Sequence, residues 1–239
     1  MPERIAAVLS VIYLIFNEGY TASSGSGLIR TDLSDEAIRL ARIVLILLPD
    51  NCEVAGLLAL MLLHDSRSAS RKDADGKMIS LEFQNRKRWD KNKIEEGSNL
   101  LKKALMQQKV GVYQIQAAIS ALHAESASWD QTDWAQINAL YELLFSMNPS
   151  SVVGVNQSIA MSYAVSVESA LELLESLKSD QSMSQYQPYF TARADLHYRL
   201  GNYNSARSDL TQAIKLTDNE ARQDFLKNRI EQMSNRHSQ

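Results

Sequence analysis

The run from Val54 to Leu63, VAGLLALMLL, carries no polar side chain, and a helix of that kind cannot leave a broad face in water. Val54, Leu57, Leu58, Met61 and Leu62 recur at the helical period, while Leu60 and Leu63 widen the stripe around the axis. The stretch should be buried on most sides. It is therefore expected to be the central helix of its half of the chain.

The neighbours are expected to be helices as well, because 9 glycines and 4 prolines in 239 residues are too few for the turns of an all-β fold. The opening MPERIAAVLSVIYLIF predicts a helix from Pro2 to about Asn17, with proline in the first turn and Gly19 as a left-handed cap. Its apolar part is too short for a membrane span and lacks a small-residue cleavage site, so it reads as a buried helix and not a signal peptide. Residues 21–32, TASSGSGLIRTD, form a loop long for a helical hairpin. Ser34 is expected to cap a second helix that runs to Leu48 and stops at Pro49. Beyond the central helix, Asp73-Ala74-Asp75-Gly76 predicts a tight turn, with Ser70–Lys72 and Lys77–Ser80 pairing as short strands. Another helix is expected from about Trp89 to Gln108, broken at Val110-Gly111.

From Tyr113 onward the chain repeats. Residues 187–218 fit the tetratricopeptide helix-turn-helix pattern, with Phe190, Ala194, Gly201, Tyr203, Ala206, Leu210 and Ala213 where two antiparallel helices touch. His197 and Asp218 depart from it. Earlier pairs follow at Val152–Tyr163 with Ser169–Leu177, and at Gln114–Ser126 with Asp133–Met147; Ala37, Ala41, Val44 and Pro49 echo the second-helix spacing. The expected fold is all-α: a helical-hairpin, tetratricopeptide-like solenoid of about five hairpins with one short β-hairpin inserted near residues 70–81. Residues 1–110 form a first helical subdomain, and residues 111–239 form the repeats with a capping helix, Glu220–Met233.

No phosphate loop, HExxH pair, GxSxG elbow or CxxC is present, so no enzyme mechanism, cofactor or metal is expected. Asp73, Asp75, Gly76 and Glu82 mimic part of a calcium loop, but Arg71 stands at its first ligand position, which a cation site does not tolerate. The histidines, far apart, read as hydrogen-bonded side chains and not ligands. The single cysteine, Cys52, points to a reducing compartment, the cytoplasm. Net charge is −3, yet residues 64–93 hold nine Lys or Arg against five Asp or Glu, a local bias too small to argue for nucleic acid.

Three clusters are candidate contact surfaces: Asn17-Glu18-Gly19-Tyr20 with Arg30, then His64 to Asp90, then Trp129 to Trp134. In the second, Arg67, Arg86 and Arg88 either pair with Asp65, Glu82 and Asp90 or meet a partner beside Trp89. In the third, Thr132 caps a helix while Trp134 packs inside, or the segment binds.

The blocks VIYLIFNEGY, DEAIRLAR, EVAGLLALMLLHDSR, DADGKM, LEFQNRKRWD, YQIQAAISALHAE, TDWAQINALY and NPSSVVGVNQSIA together resemble the C-terminal extension of one group of bacterial extracytoplasmic function (ECF) RNA polymerase sigma factors. The resemblance covers Pro2 to about Glu231. It implies a helical module with tetratricopeptide-like repeats that follows two sigma domains and tunes transcription initiation through protein contacts. Its partners would be those sigma domains and RNA polymerase, or an accessory regulatory protein. No promoter-reading helix-turn-helix stands in this chain, so direct promoter binding by it is not implied. The resemblance nominates Asn17, Glu18, Tyr20, His64, Asp65, Arg67, Asp73, Gln84, Arg88, Trp89, Asp90, Gln116, His123, Asp133 and Trp134; Arg86 joins them as a planar cation beside Trp89. Asn85 and Ser68 depart from the family pattern. The competing reading is a free-standing tetratricopeptide adaptor that binds a peptide or small ligand.

Overall fold

The computed structural model describes residues 2–20, 24–25 and 30–237, with side chains for 4–20 and 30–233. The fold is all-α, and the described residues form two compact units, 2–20 with 30–133 and 24–25 with 134–237.

The first unit contains α1 (Pro2–Tyr20), α2 (Thr31–Leu47), α3 (Cys52–Asp65), α4 (Lys91–Leu105) and α5 (Val112–Glu125). The central position expected for the apolar helix holds: α1, α2, α4 and α5 all pack on α3. Leu57, Leu58, Leu60, Met61, Leu62 and Leu63 are each at most 1% exposed, and each such burial contributes roughly 1.5–3 kcal/mol. One side of α3 meets Leu9, Ile12 and Phe16 of α1 and Ala37, Ile38 and Ala41 of α2. The other side, through Ala59, Leu60 and Leu63, meets Ile94, Leu101, Ala117 and Trp89.

The starts of α3 and α4 are fixed by side chains. Asn51 accepts from the amides of Glu53 and Val54, both at 3.1 Å, and Asp90 does the same for Asn92 and Lys93 at 3.0 and 3.1 Å, so α4 begins two residues after Trp89. Gly111, before α5, has no side chain to cap with. The Glu53 carboxylate reaches across from α3 instead, accepting from the amides of Tyr113 at 3.0 Å and Gln114 at 3.3 Å.

Several expectations are corrected. Gly19 does not end α1 in a left-handed turn; it lies inside the helix, where a Cβ would stand 2.4 Å from the Ser34 amide nitrogen, so its role is to let α1 and α2 approach. Ser34 is not a cap, since α2 begins at Thr31, and buried Ser34 donates back to the Thr31 carbonyl at 3.3 Å. The residue 70–81 hairpin turns as expected but does not build strands. Gly76 adopts φ 79°, and Asp73 Oδ1 accepts from Asp75 and Lys77 amides at 3.0 and 2.8 Å. Only Lys72 and Met78 bridge, because Ser68–Ser70 winds into a 3₁₀ turn and the Ser70 hydroxyl is drawn to the Asn85 carbonyl at 3.1 Å. The paired strands lie elsewhere, as two residues each: Ser24–Gly25 runs parallel to Asp218–Asn219.

The second unit contains α6 (Trp134–Met147), α7 (Ser151–Ala164), α8 (Val167–Ser176), α9 (Gln187–Arg199), α10 (Tyr203–Lys215) and α11 (Glu220–His237), each packed on the next. The pairs α7–α8 and α9–α10 are the two repeats read at 152–177 and 187–218. Ala206, Leu210 and Ala213 are fully buried where α9 and α10 close, and Gly201 takes φ 77° in the turn between them. Arg193 clamps Asp209 across this pair with bonds of 2.9 and 2.6 Å. The repeat expected at 114–147 is split: α5 packs on α3 and α4, whereas α6 packs on α7. The units therefore divide between Asp133 and Trp134, beyond the 110/111 boundary read from the sequence, since Ala117 and Ala121 of α5 belong to the core around α3.

Candidate functional site

Five helical and loop segments of the first unit bring aromatic and cationic side chains together beyond the last turn of α3. Two consecutive turns at the end of α1 supply Phe16 and Tyr20, whose rings stack at 5.6 Å. His64, in the last turn of α3, tilts against Tyr20 at 5.4 Å and Phe16 at 6.3 Å. Arg71 covers the other partner in this stack: its guanidinium lies 3.8 Å from the Tyr20 ring centroid and donates to the Tyr20 carbonyl, although the side chain is buried.

Trp89 forms the second half of the cluster. The guanidinium of Arg86 lies 4.9 Å, and that of Arg67 5.9 Å, from its ring centroid. Arg86 ties the loop to the end of α5, donating to the carbonyls of His123 and of Ser126, the latter at 2.9 Å, and to Thr132 Oγ1 at 3.5 Å. His123 stacks on Trp129 at 6.2 Å. Trp89 itself is 2% exposed, so the exposed aromatic anchor expected at this position is instead a core residue against Leu60 and Leu63.

Arg86 is held by two carbonyls, a hydroxyl and the Trp89 ring. Among the described residues none of Arg67, Arg86 or Arg88 makes an ion pair, which corrects the pairing with Asp65, Glu82 and Asp90. Asp65, 6% exposed, is taken by Lys93 and by the Ser68 hydroxyl at 2.7 Å. Burial works against the Lys93 charge, but Asp65 raises its pKa above the usual lysine value. Burial, then Arg67 and Arg71, hold His64 well below the ordinary histidine range. Burial, then Arg67 and Arg86, push His123 down to about 3. Both imidazoles are neutral at physiological pH. Burial and the Arg67 charge also lower the Arg86 pKa.

The remaining nominated residues stand apart or act structurally. Asp73 holds its own turn, and Asp90 caps α4. Gln84 donates to the Ile79 carbonyl at 3.2 Å, and Gln116 donates to the Val112 carbonyl at 3.2 Å within α5. Asn17, Arg88 and Asp133 are exposed, and Glu18 is half-buried. Trp134 belongs to the second unit, stacked on Tyr163 at 4.5 Å. Thr132, buried, donates to the Ser128 carbonyl at 3.2 Å and accepts from Arg86. The sequence places Arg71 and Lys93 in the cationic stretch after the apolar helix but does not pair them, because their partners Tyr20 and Asp65 lie 51 and 28 residues away; Phe16, stacked on Tyr20 one turn along α1, reads from sequence only as part of a buried helix. Among the described residues no group of His, Cys, Asp and Glu could hold a metal ion, and no helix is long and apolar enough to cross a membrane.

Residues 4–105, the greater part of the first unit, match a family described as "Family of unknown function (DUF6596)". The chain is also similar to a protein of Rhizobium meliloti (strain 1021), "Uncharacterized protein R00370", with 40% identity over 232 residues, 97% of this chain and 54% of that protein. The chain thus spans about half the length of the curated relative it matches.

Proposed function

We propose that this chain is the regulatory protein-interaction domain of an ECF-type sigma factor, modulating transcription initiation by contacting its own sigma domains, RNA polymerase or an accessory regulator in the cytoplasm. The observation that carries the reading is convergence. Four of the blocks that resemble the sigma-factor extension are separated by up to a hundred residues of chain, yet their Tyr20, His64, Arg67, Arg86, Trp89 and His123 meet in one cluster. The relative of nearly twice the length has room for further domains beside the matched region. In this reading the chain acts by binding and catalyses nothing.

The contact face is the segment running into the cluster, where Phe83, 74% exposed, is followed four and five residues on by exposed Lys87 and Arg88. An aromatic ring with cations at its edge is the composition of an interface anchor. Capture of purified sigma domains and of polymerase by the tagged chain, with an Arg88→Ala and Phe83→Ala variant beside it, tests the proposal. Binding that the double variant loses without a lower melting midpoint supports it; no capture of either partner refutes it.

A second reading, a tetratricopeptide adaptor for an acidic peptide, is favoured by one feature of the second unit. An open groove of about 510 Å³ on α9 and α10 is lined by Phe190, Asn204, Arg207, Thr211, Gln212 and Lys215. Peptide binding at that groove with no sigma or polymerase capture would select this reading.

A further inference from the structure

Arg67 is the one arginine of the cluster whose guanidinium donates to nothing in the described structure. Arg71 donates to the Tyr20 carbonyl, and Arg86 donates to two carbonyls and a hydroxyl. Arg67 has only the Trp89 ring, at 5.9 Å, and it is half-buried. All five of its N–H groups are therefore available in a planar fork. The nearest acid in sequence, Asp65, is committed on both oxygens: one to Ser68, one to Lys93.

The surroundings make this costly for an isolated cation. Arg86 shares the same indole ring, and the Arg67 charge is felt at His64, His123 and Arg86, lowering the pKa of each. A half-buried cation among cations is a poor structural choice: a guanidinium held only by a ring gains little from that contact, and an apolar side chain would pack there without the repulsion. The fork geometry matches a carboxylate or phosphate edge, two N–H groups to two oxygens, and the neutral imidazoles of His64 and His123 add no repulsion to a bound anion.

We propose that Arg67 is the anchoring residue of an oxyanion-binding site beyond the end of α3, which takes the carboxylate or phosphate group of a small soluble ligand. Arg86 adds to its positive surroundings, the neutral imidazoles of His64 and His123 lie around it without opposing an anion, and Trp89 holds the guanidinium plane. The half-buried position admits a compact anionic group in preference to a broad surface. The assignment does not depend on the sigma-factor reading.

The test uses the full chain without polymerase or sigma domains, so the two proposals fail separately. Inorganic phosphate and succinate are titrated by isothermal calorimetry at constant ionic strength set with chloride, while the Arg67 Nε–H resonance is followed by NMR. The expected result is saturable binding of at least one probe with a shift of that resonance, weakened at least tenfold in Arg67→Gln and unchanged in Lys102→Gln, which removes the same charge from an exposed site on α4. Preference for phosphate or for succinate identifies the ligand's anionic group. Arg67→Lys keeps the charge and loses the fork, and should bind succinate more weakly than the unaltered chain; it replaces Arg67→Gln if that variant does not fold. Binding of neither probe, binding without any change at Arg67 Nε–H, or equal binding by both Arg67 variants and the unaltered chain would overturn the assignment.

Discussion

Lowering the pH from 7.5 to 5 should destabilise the first unit by about 2 kcal/mol through His123 alone, with His64 adding in the same direction. Folded, His123 is pushed down to about 3 by burial and by the charges of Arg67 and Arg86, and His64 is held well below the usual range by burial and by Arg67, Arg71 and His123. Unfolded, each imidazole titrates near pH ~6.5. A folded-state pKa below the unfolded value means that the unfolded chain takes up the proton first, so stability is intact above neutral pH and falls as the pH drops through the unfolded pKa. For His123 the loss continues until the folded imidazole itself titrates at about pH 3. Integrating one proton with an unfolded pKa of ~6.5 between pH 7.5 and 5 gives ~2 kcal/mol, a substantial part of the ~5–15 kcal/mol that holds a typical domain. This window lies above the range where most carboxylates titrate, which isolates the histidines. The assay is urea denaturation across the pH series, followed by tryptophan fluorescence, since Trp89 and Trp129 both lie in this unit. The slope of stability against pH gives the difference in bound protons, which should exceed one near pH 5. His123→Gln should lower it by about one. A stability unchanged between pH 7.5 and 5, or a His123→Gln variant with an undiminished slope, would refute the account of a neutral imidazole held among guanidiniums.

Trp89→Ala should destabilise the first unit by roughly 3–5 kcal/mol, since the ring is 2% exposed, whereas Arg88→Ala should leave the urea midpoint unchanged. Gly19→Ala should lose roughly 1–3 kcal/mol in the same measurement, because the added methyl would sit 2.4 Å from the Ser34 amide and force α1 and α2 apart; a neutral substitution would contradict that approach. Gly201→Val should lower the second unit's melting midpoint, at roughly 1–3 kcal/mol, by placing a branched side chain at φ 77°; circular dichroism checks it.

Local pattern was enough wherever a residue's role depends on neighbours within a turn or two of chain. The apolar circumference of Val54 to Leu63 demanded a central helix, the spacing of Ala206, Leu210 and Ala213 with Gly201 gave the last repeat, and Asp73 to Gly76 gave its turn. Pattern failed where the competing partner is distant. Gly19 reads as a cap from its own helix, and only the position of Ser34 turns it into a contact point. The periodicity of α5 suits a repeat helix, but its small residues also fit the face of α3, and burial there won.

The same division runs through the candidate site. From sequence alone came the all-α class, the two short helical repeats, and a list of cationic and aromatic residues near the end of the apolar helix, because composition and period are properties of the chain itself. Only the tertiary structure decided that Trp89 is core and Arg88 surface, that Lys93 and not an arginine claims Asp65, and that Arg67 is left with its donors free. Charges and rings act through space over a few ångströms, so which of them meet is set by how helices far apart in the chain pack, and no local pattern encodes that.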